Sequence, residues 1–132
     1  MSRSSLLADT LTRIRNAQRV GHSFVVVSAS TFIGSCLGVL ESEGYISSFE
    51  KFEERAGVHF FKVALKYYRG RPVVSTIKMV SKPGCRAYTS VADMPRSKNG
   101  FGVYVVSTSR GVLSDRFARQ KGIGGELLFE VS

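Results

Sequence analysis

Gly102-Val103-Tyr104-Val105-Val106-Ser107-Thr108-Ser109-Arg110-Gly111 is the stretch that decides how the chain is read. Gly102–Thr108 is apolar and β-branched, which predicts an interior strand. Ser109-Arg110-Gly111 then turns the chain. Downstream, Ser114 is placed to cap a short helix over Asp115–Lys121, with an acid at its start and bases near its end. Gly122–Gly125 reads as a glycine-rich return, and Glu126–Val131 alternates as a last strand. Upstream, Val73–Val80 begins this half as a strand. Lys82-Pro83-Gly84 has Pro then Gly as a type II turn demands, and Cys85–Tyr88 resumes a strand. Val91–Met94 suits one helical turn, stopped by Pro95.

Further back, Tyr68-Arg69-Gly70-Arg71-Pro72 breaks both periodicities and reads as a linker. Before it, Leu7, Leu11, Ile14 and Ala17 recur at helical spacing, with Ser4 or Ser5 to cap the start and Gly21 to end it. Thr12, Arg13, Asn16 and Arg19 fall on the opposite face. Phe24–Val27 reads as a strand. Ser30 caps a second helix whose Ile33, Cys36, Leu37 and Leu40 face one way, with Gly44 as its stop. Tyr45–Glu53 and Val58–Tyr67 predict a hairpin around Glu54-Arg55-Ala56-Gly57. The expectation is an α/β protein of the α+β kind in two small modules. Residues 1–67 form an N-terminal α-β-α-β-β module, 68–72 a linker, and 73–132 a mostly β module with short helices.

The 132 residues leave room for one domain or two very small ones, and 43% hydrophobic content is too apolar for a disordered tail. Nineteen Lys and Arg stand against ten Asp and Glu, a surplus of +9 that calls for a polyanionic partner. Residues 1–66 hold eight bases and six acids; residues 67–132 hold eleven and four. The second half is therefore the expected docking surface. No apolar run approaches the roughly 18–20 residues of a membrane span. Met1–Ser5 lacks the apolar core of a secretory signal, and Asp9 argues against a cleaved transit peptide. Two cysteines make no disulfide framework, so a reducing, cytoplasmic setting is expected.

Catalytic readings find little support. Cys36, Cys85, His22 and His59 lack the close spacing of a zinc site, so no metal is expected. Neither histidine has a nominated partner, and there is no G-x-S-x-G. Asp115 suits a helix-start acid, leaving Asp93 and Glu126 without a convincing acid/base pairing. Gly100-Phe101-Gly102 lacks the third glycine of a dinucleotide loop, and no Walker lysine loop occurs, so neither cofactor nor small-molecule substrate is implied. The first helix has too modest an apolar face for a membrane surface. A small basic enzyme acting on RNA or nucleotides remains the alternative to a binding protein.

The nucleic-acid reading centres on Ser107-Thr108-Ser109-Arg110-Gly111. Three small hydroxyl side chains at the end of a rigid strand can approach a sugar-phosphate wall closely. Arg110 adds charge, and Tyr88 can stack on an unpaired base of the kind RNA loops offer. Lys82, Arg86, Arg116, Arg119 and Lys121 can neutralise phosphates around them. The competing reading makes Ser107–Ser109 a strand exit rich in capping residues and Tyr88 a half-buried ring.

The run Gly102–Leu113 with Ala118-Arg119-Gln120-Lys121-Gly122-Ile123-Gly124-Gly125-Glu126 resembles the signature of the eighth small-subunit ribosomal protein family. Asp9-Thr10-Leu11-Thr12-Arg13-Ile14-Arg15-Asn16-Ala17 resembles that family's opening helix. Val80-Ser81-Lys82-Pro83-Gly84 and Arg86-Ala87-Tyr88 resemble its central turn and strand. The resemblance runs from about Leu6 to the last residue.

It implies a non-catalytic protein of two small α/β modules, bacterial in type, that assembles into the 30S particle beside other small-subunit proteins. The family binds an irregular stem of bulged and tripled bases in the central domain of 16S rRNA and helps organise the platform. Bacterial members can also repress their own operon by binding a look-alike mRNA site. Carried over by position, Ser107, Thr108 and Ser109 would read RNA, with Tyr88 and Glu126 beside them. Glu126 would orient the loop hydroxyls, and Thr12, Arg13 and Asn16 would meet the RNA backbone. Family members commonly carry lysine at the second helix start, where Ser30-Thr31-Phe32 offers only hydroxyls.

Overall fold

Leu7, Leu11 and Ile14 are buried almost completely on one side of a helix, α1, that spans Arg3–Val20. Removing each such side chain from water is worth about 1.5–3 kcal/mol. The computed structural model describes residues 3–97 and 101–132. Met1, Ser2 and Gly100, which the sequence readings include, lie outside them. Ser4 and Ser5 sit within the first helical turn rather than capping it, because α1 already includes Arg3. Gly21, at φ 87°, ends it by donating to the carbonyls of Ala17 and Gln18.

Two compact units form, Met1–Val74 and Ser75–Ser132. In the first, β1 (Phe24–Ser28) leads to α2 (Thr31–Ser42), β2 (Ile46–Arg55) and β3 (Val58–Leu65). The Ser30 hydroxyl caps α2 by accepting from the Ile33 N–H at 3.1 Å. The sheet order is β1-β3-β2, antiparallel throughout. Val27, Phe61 and Val63 on this sheet are buried, as are Ile33, Cys36, Leu37 and Leu40 on α2. The expected linker is paired backbone: β4 (Tyr67–Tyr68) returns as β5 (Arg71–Pro72). Arg69 and Gly70 at φ 54° and 78° close this hairpin, since positive φ at both central residues makes a type I′ turn.

The second unit is one antiparallel sheet of β6 (Ile77–Met79), β7 (Tyr88–Thr89), β8 (Val103–Thr108), β9 (Gly111–Ser114) and β10 (Gly125–Val131). Its order is β6-β10-β8-β9, with β7 also on β10. β8 is interior, as its apolar content requires, and the whole chain is α+β. Gly111–Ser114 pairs with β8, so Ser109-Arg110 is the tip of a hairpin and not a direct passage to helix. Helix α3 (Asp115–Lys121) has Ser114 as its N-cap and Gly122 at φ 70° as its C-cap. Val106, Ala118, Leu127 and Met94 pack as one core cluster.

Two expected strands are shorter than read. Ser75 and Thr76 direct their N–H groups to the Ser132 carbonyl, and Val80 and Ser81 direct theirs to Leu128, leaving a ladder only at Ile77–Met79. Lys82 and Cys85 bond to each other across the Pro83-Gly84 turn, which leaves Tyr88–Thr89 as strand. Val91–Met94 is a single bonded turn that does not continue, because Pro95 has no N–H to donate.

Burial pushes the Cys36 thiol up from 9.0 to about 12, offset slightly by the Arg3 charge, whereas Cys85 is exposed. A thiol reagent at about pH 8 should therefore modify Cys85 in the native protein and Cys36 only after unfolding. Because the folded thiol keeps its proton longer, its contribution to stability is complete below pH 9.0 and is lost as pH rises towards about 12. Equal labelling of both cysteines in the native chain would contradict this packing.

Candidate nucleic-acid interface

Tyr88, Glu126 and Ser107 stand opposite one another on β7, β10 and β8. Directly opposed residues of antiparallel strands project to one face, so they form a row about 10 Å wide, two strand spacings. The row exists because Gly124 and Gly125 lead into β10 and open it. A Cβ on Gly125 would collide with the Ser107 carbonyl, and one on Gly124 with the Thr89 carbonyl.

At one end, the Tyr88 ring is 73% exposed, so the half-buried reading of it does not hold. In the middle, the Glu126 carboxylate accepts from the buried Ser81 hydroxyl, which itself accepts from the Ala87 N–H at 3.3 Å. Arg86 approaches the same carboxylate at 3.7 Å. Glu126 thus orients Ser81 and Arg86, not the loop hydroxyls. Ser81 is the participant that sequence reasoning missed, since a serine beside a Pro-Gly turn gives no sign of being buried.

At the other end, the three loop hydroxyls have different fates. Thr108 Oγ1 donates to the Gly111 carbonyl at 2.8 Å and accepts from the Arg110 N–H at 3.1 Å, so it closes the hairpin. Ser107 is partly exposed and Ser109 exposed, and among the described residues neither hydroxyl has a hydrogen-bond partner. Both donors are open to a ligand.

The cations divide as well. Lys82, Arg86, Arg110, Arg116 and Lys121 are exposed. Arg116 and Lys121 are five positions apart on α3, hence about 140° apart round its axis, so they do not form one patch. Arg119, expected at phosphates, is tied into the protein as a brace. Its guanidinium donates to Asp115 Oδ2 at 2.7 Å and to the Pro95 carbonyl at 3.2 Å. Asp115 is only 2% exposed and also accepts from the Tyr104 N–H, so it is more than a helix-start acid.

In the first unit, Thr12, Arg13 and Asn16 are all exposed on α1. The Thr12 hydroxyl donates to Ala8 and Arg13 to Asp9 at 2.9 Å. At the α2 start, a cation is present after all: the Arg3 guanidinium lies 4.0 Å from the Phe32 ring centroid. Among the described residues, no group of three His, Cys, Asp or Glu could hold a metal, and no helix is long and apolar enough to cross a membrane.

Comparison with known proteins bears on the same residues. The family model described as ribosomal protein S8 matches residues 5–132. The chain belongs to that family. It is 52% identical over 128 residues to the small ribosomal subunit protein uS8 of Thiobacillus denitrificans, covering 97% of each chain. Against uS8 of Hyphomonas neptunium it is 49% identical over 131 residues, 99% of each, and against that of Ehrlichia chaffeensis 48% over 128 residues, 97% of each. Membership makes it a structural ribosomal protein of the small subunit and not an enzyme, so the catalytic alternative falls.

Two substitutions in this S8-family chain test the frame. Gly125→Ala should force β10 away from Ser107 and cost about 1–3 kcal/mol, as overpacking does, in denaturant unfolding. Arg119→Ala should cost roughly 3 kcal/mol by stranding the Asp115 carboxylate. An Arg119→Ala chain as stable as its parent would show that the brace carries no weight.

Proposed function

We propose that this chain binds the central domain of 16S rRNA at an irregular stem through the Tyr88–Glu126–Ser107 row and the β8–β9 hairpin tip. In doing so it helps assemble the platform of the 30S particle alongside neighbouring small-subunit proteins. The reading rests on one observation: two hydroxyls without a partner among the described residues, Ser107 and Ser109, held on a hairpin whose third hydroxyl is spent on rigidity.

Hydroxyls on short, fixed side chains recognise by fit, because they reach only what the backbone carries to them. An irregular stem presents base edges that a regular A-form duplex keeps in its deep, narrow major groove. Tyr88 adds a surface for an unpaired base. Glu126, hydrogen-bonded by Ser81 and ion-paired with Arg86, repels phosphate less than a bare carboxylate would. Arg110, Lys82, Arg86, Arg116 and Lys121 supply sequence-independent attraction by counterion release. Thr12, Arg13 and Asn16 give α1 a polar face for a separate backbone contact. A look-alike site on the chain's own operon mRNA would meet the same residues, so repression needs no further surface.

Competition between a central-domain 16S fragment and a regular duplex of equal length, at fixed salt, tests the reading. Ser107→Ala and Ser109→Ala should each cost roughly 1 kcal/mol, about fivefold, on the fragment alone. Lys121→Ala should weaken both RNAs alike and reduce the salt slope by about 0.7–0.9. Serine variants that lose equally on fragment and duplex would remove the hairpin as reader.

A further inference from the structure

The β4–β5 hairpin of the first unit has features that the row in the second unit does not account for. Its apex residue Arg69 is the one non-glycine at positive φ among the described residues. Asn-Gly is what a type I′ turn prefers, so arginine is held there against backbone preference. The neighbouring Tyr68 ring is 66% exposed, with the Arg69 guanidinium 5.2 Å from its centroid. Arg71 lies opposite Tyr68 across the ladder, and Lys66 is exposed at the base. Between Arg55 and Ala92 the sequence has no carboxylate at all.

The hairpin is also fixed in place. The Tyr67 hydroxyl donates to the His22 carbonyl at 2.5 Å, and the Val73 N–H donates to the Lys66 carbonyl at 3.0 Å. A bare aromatic face backed by a guanidinium, with a second arginine alongside, has the makings of a single-strand nucleotide platform: ring for base, cations for phosphate. A membrane surface would need aliphatic bulk, whereas Gly70 and Pro72 are the neighbours here. An acidic peptide would leave the ring unused.

We propose that the Tyr67–Pro72 hairpin is a second RNA contact, on which one unpaired base stacks against Tyr68 while adjoining phosphates meet Arg69 and Arg71. This rests on the chain being an RNA binder but not on Ser107 and Ser109 being its readers.

The chain contains no tryptophan, so Tyr68→Trp places a single indole fluorophore at the platform. Titration of the full chain with a short oligouridylate should quench that emission saturably, and added salt should reverse it. Adding Arg69→Asn should weaken oligouridylate binding severalfold and reduce the salt slope by about 0.7, as for one lost single-strand phosphate contact. The same change should raise the unfolding temperature, since asparagine accepts the turn's backbone. Weaker binding by a more stable protein is not a folding defect. Emission unchanged by both oligouridylate and the 16S fragment would overturn the proposal, as would Arg69→Asn binding like its parent. A blue shift with phosphatidylglycerol vesicles and no quenching by RNA would also overturn it. If Ser109→Ala loses the stem preference while the indole of the Tyr68→Trp chain stays unquenched, the hairpin alone is sunk. Quenching without any stem preference sinks the loop reading alone.

Discussion

Strand β10 lies between Tyr88 and Ser107 only because Gly124 and Gly125 offer no Cβ to the carbonyls of Thr89 and Ser107. The sheet of the second unit is organised around that strand. β6, β7 and β8 all pair with it, and the bulge at Leu128 lets its carbonyl take the N–H groups of Val80 and Ser81. Through that bond Ser81 is carried to Glu126, and through Glu126 the turn bearing Lys82 and Arg86 is tied to the same row. Two missing methyl groups therefore fix the spacing of the Tyr88–Glu126–Ser107 row.

The carboxylates of the second unit are used the same way, inwardly. Glu126 takes Ser81 and Arg86; Asp115 takes Tyr104 and Arg119; Glu130 takes the Ser97 hydroxyl at 2.5 Å and Lys78 at 3.5 Å. Tyr104 keeps its proton more tightly than usual because it is desolvated, with Glu130 and Asp115 adding to the effect. Three of the four acids between Tyr67 and Ser132 are thus parts of the frame. What faces outward is more uniformly cationic than the counted charge, and a polyanion meets little repulsion there.

Much of this was legible in the sequence, for identifiable reasons. The 3.6-residue stripe of α1 and the caps Ser30 and Ser114 are local signals, and they place all three helices, although α1 starts before the expected Ser4 or Ser5 cap. The β8 strand announced itself by unbroken β-branched content. Gly111–Ser114 did not, because four residues between a turn and a cap carry no periodicity and become strand only by pairing with β8. The β4–β5 hairpin was hidden by the opposite problem: Gly and Pro marked a break correctly, but a break is also what a two-residue turn looks like. The brace at Arg119 was not legible because the sequence shows both charges of the Asp115–Arg119 pair but not that Asp115 is buried. Thr108 differs from Ser107 and Ser109 only in where its hydroxyl points, which the hairpin geometry decides.

That last difference bears on how a small basic protein obtains selectivity. Charge attracts every RNA alike, so adding lysines raises affinity without preference. Preference requires groups that lose something on the wrong shape, and a flexible side chain loses little because it can reach elsewhere. Ser107 and Ser109 cannot: each has one rotatable bond before its oxygen, on a hairpin closed by Thr108 and set by Gly125. Their donors are satisfied by a ligand surface that comes to them or else remain with water. On the proposed reading, rigidity at Thr108 is what would make two ordinary serines selective, and the same logic would separate them from Arg110 at the tip, whose long arm would serve attraction.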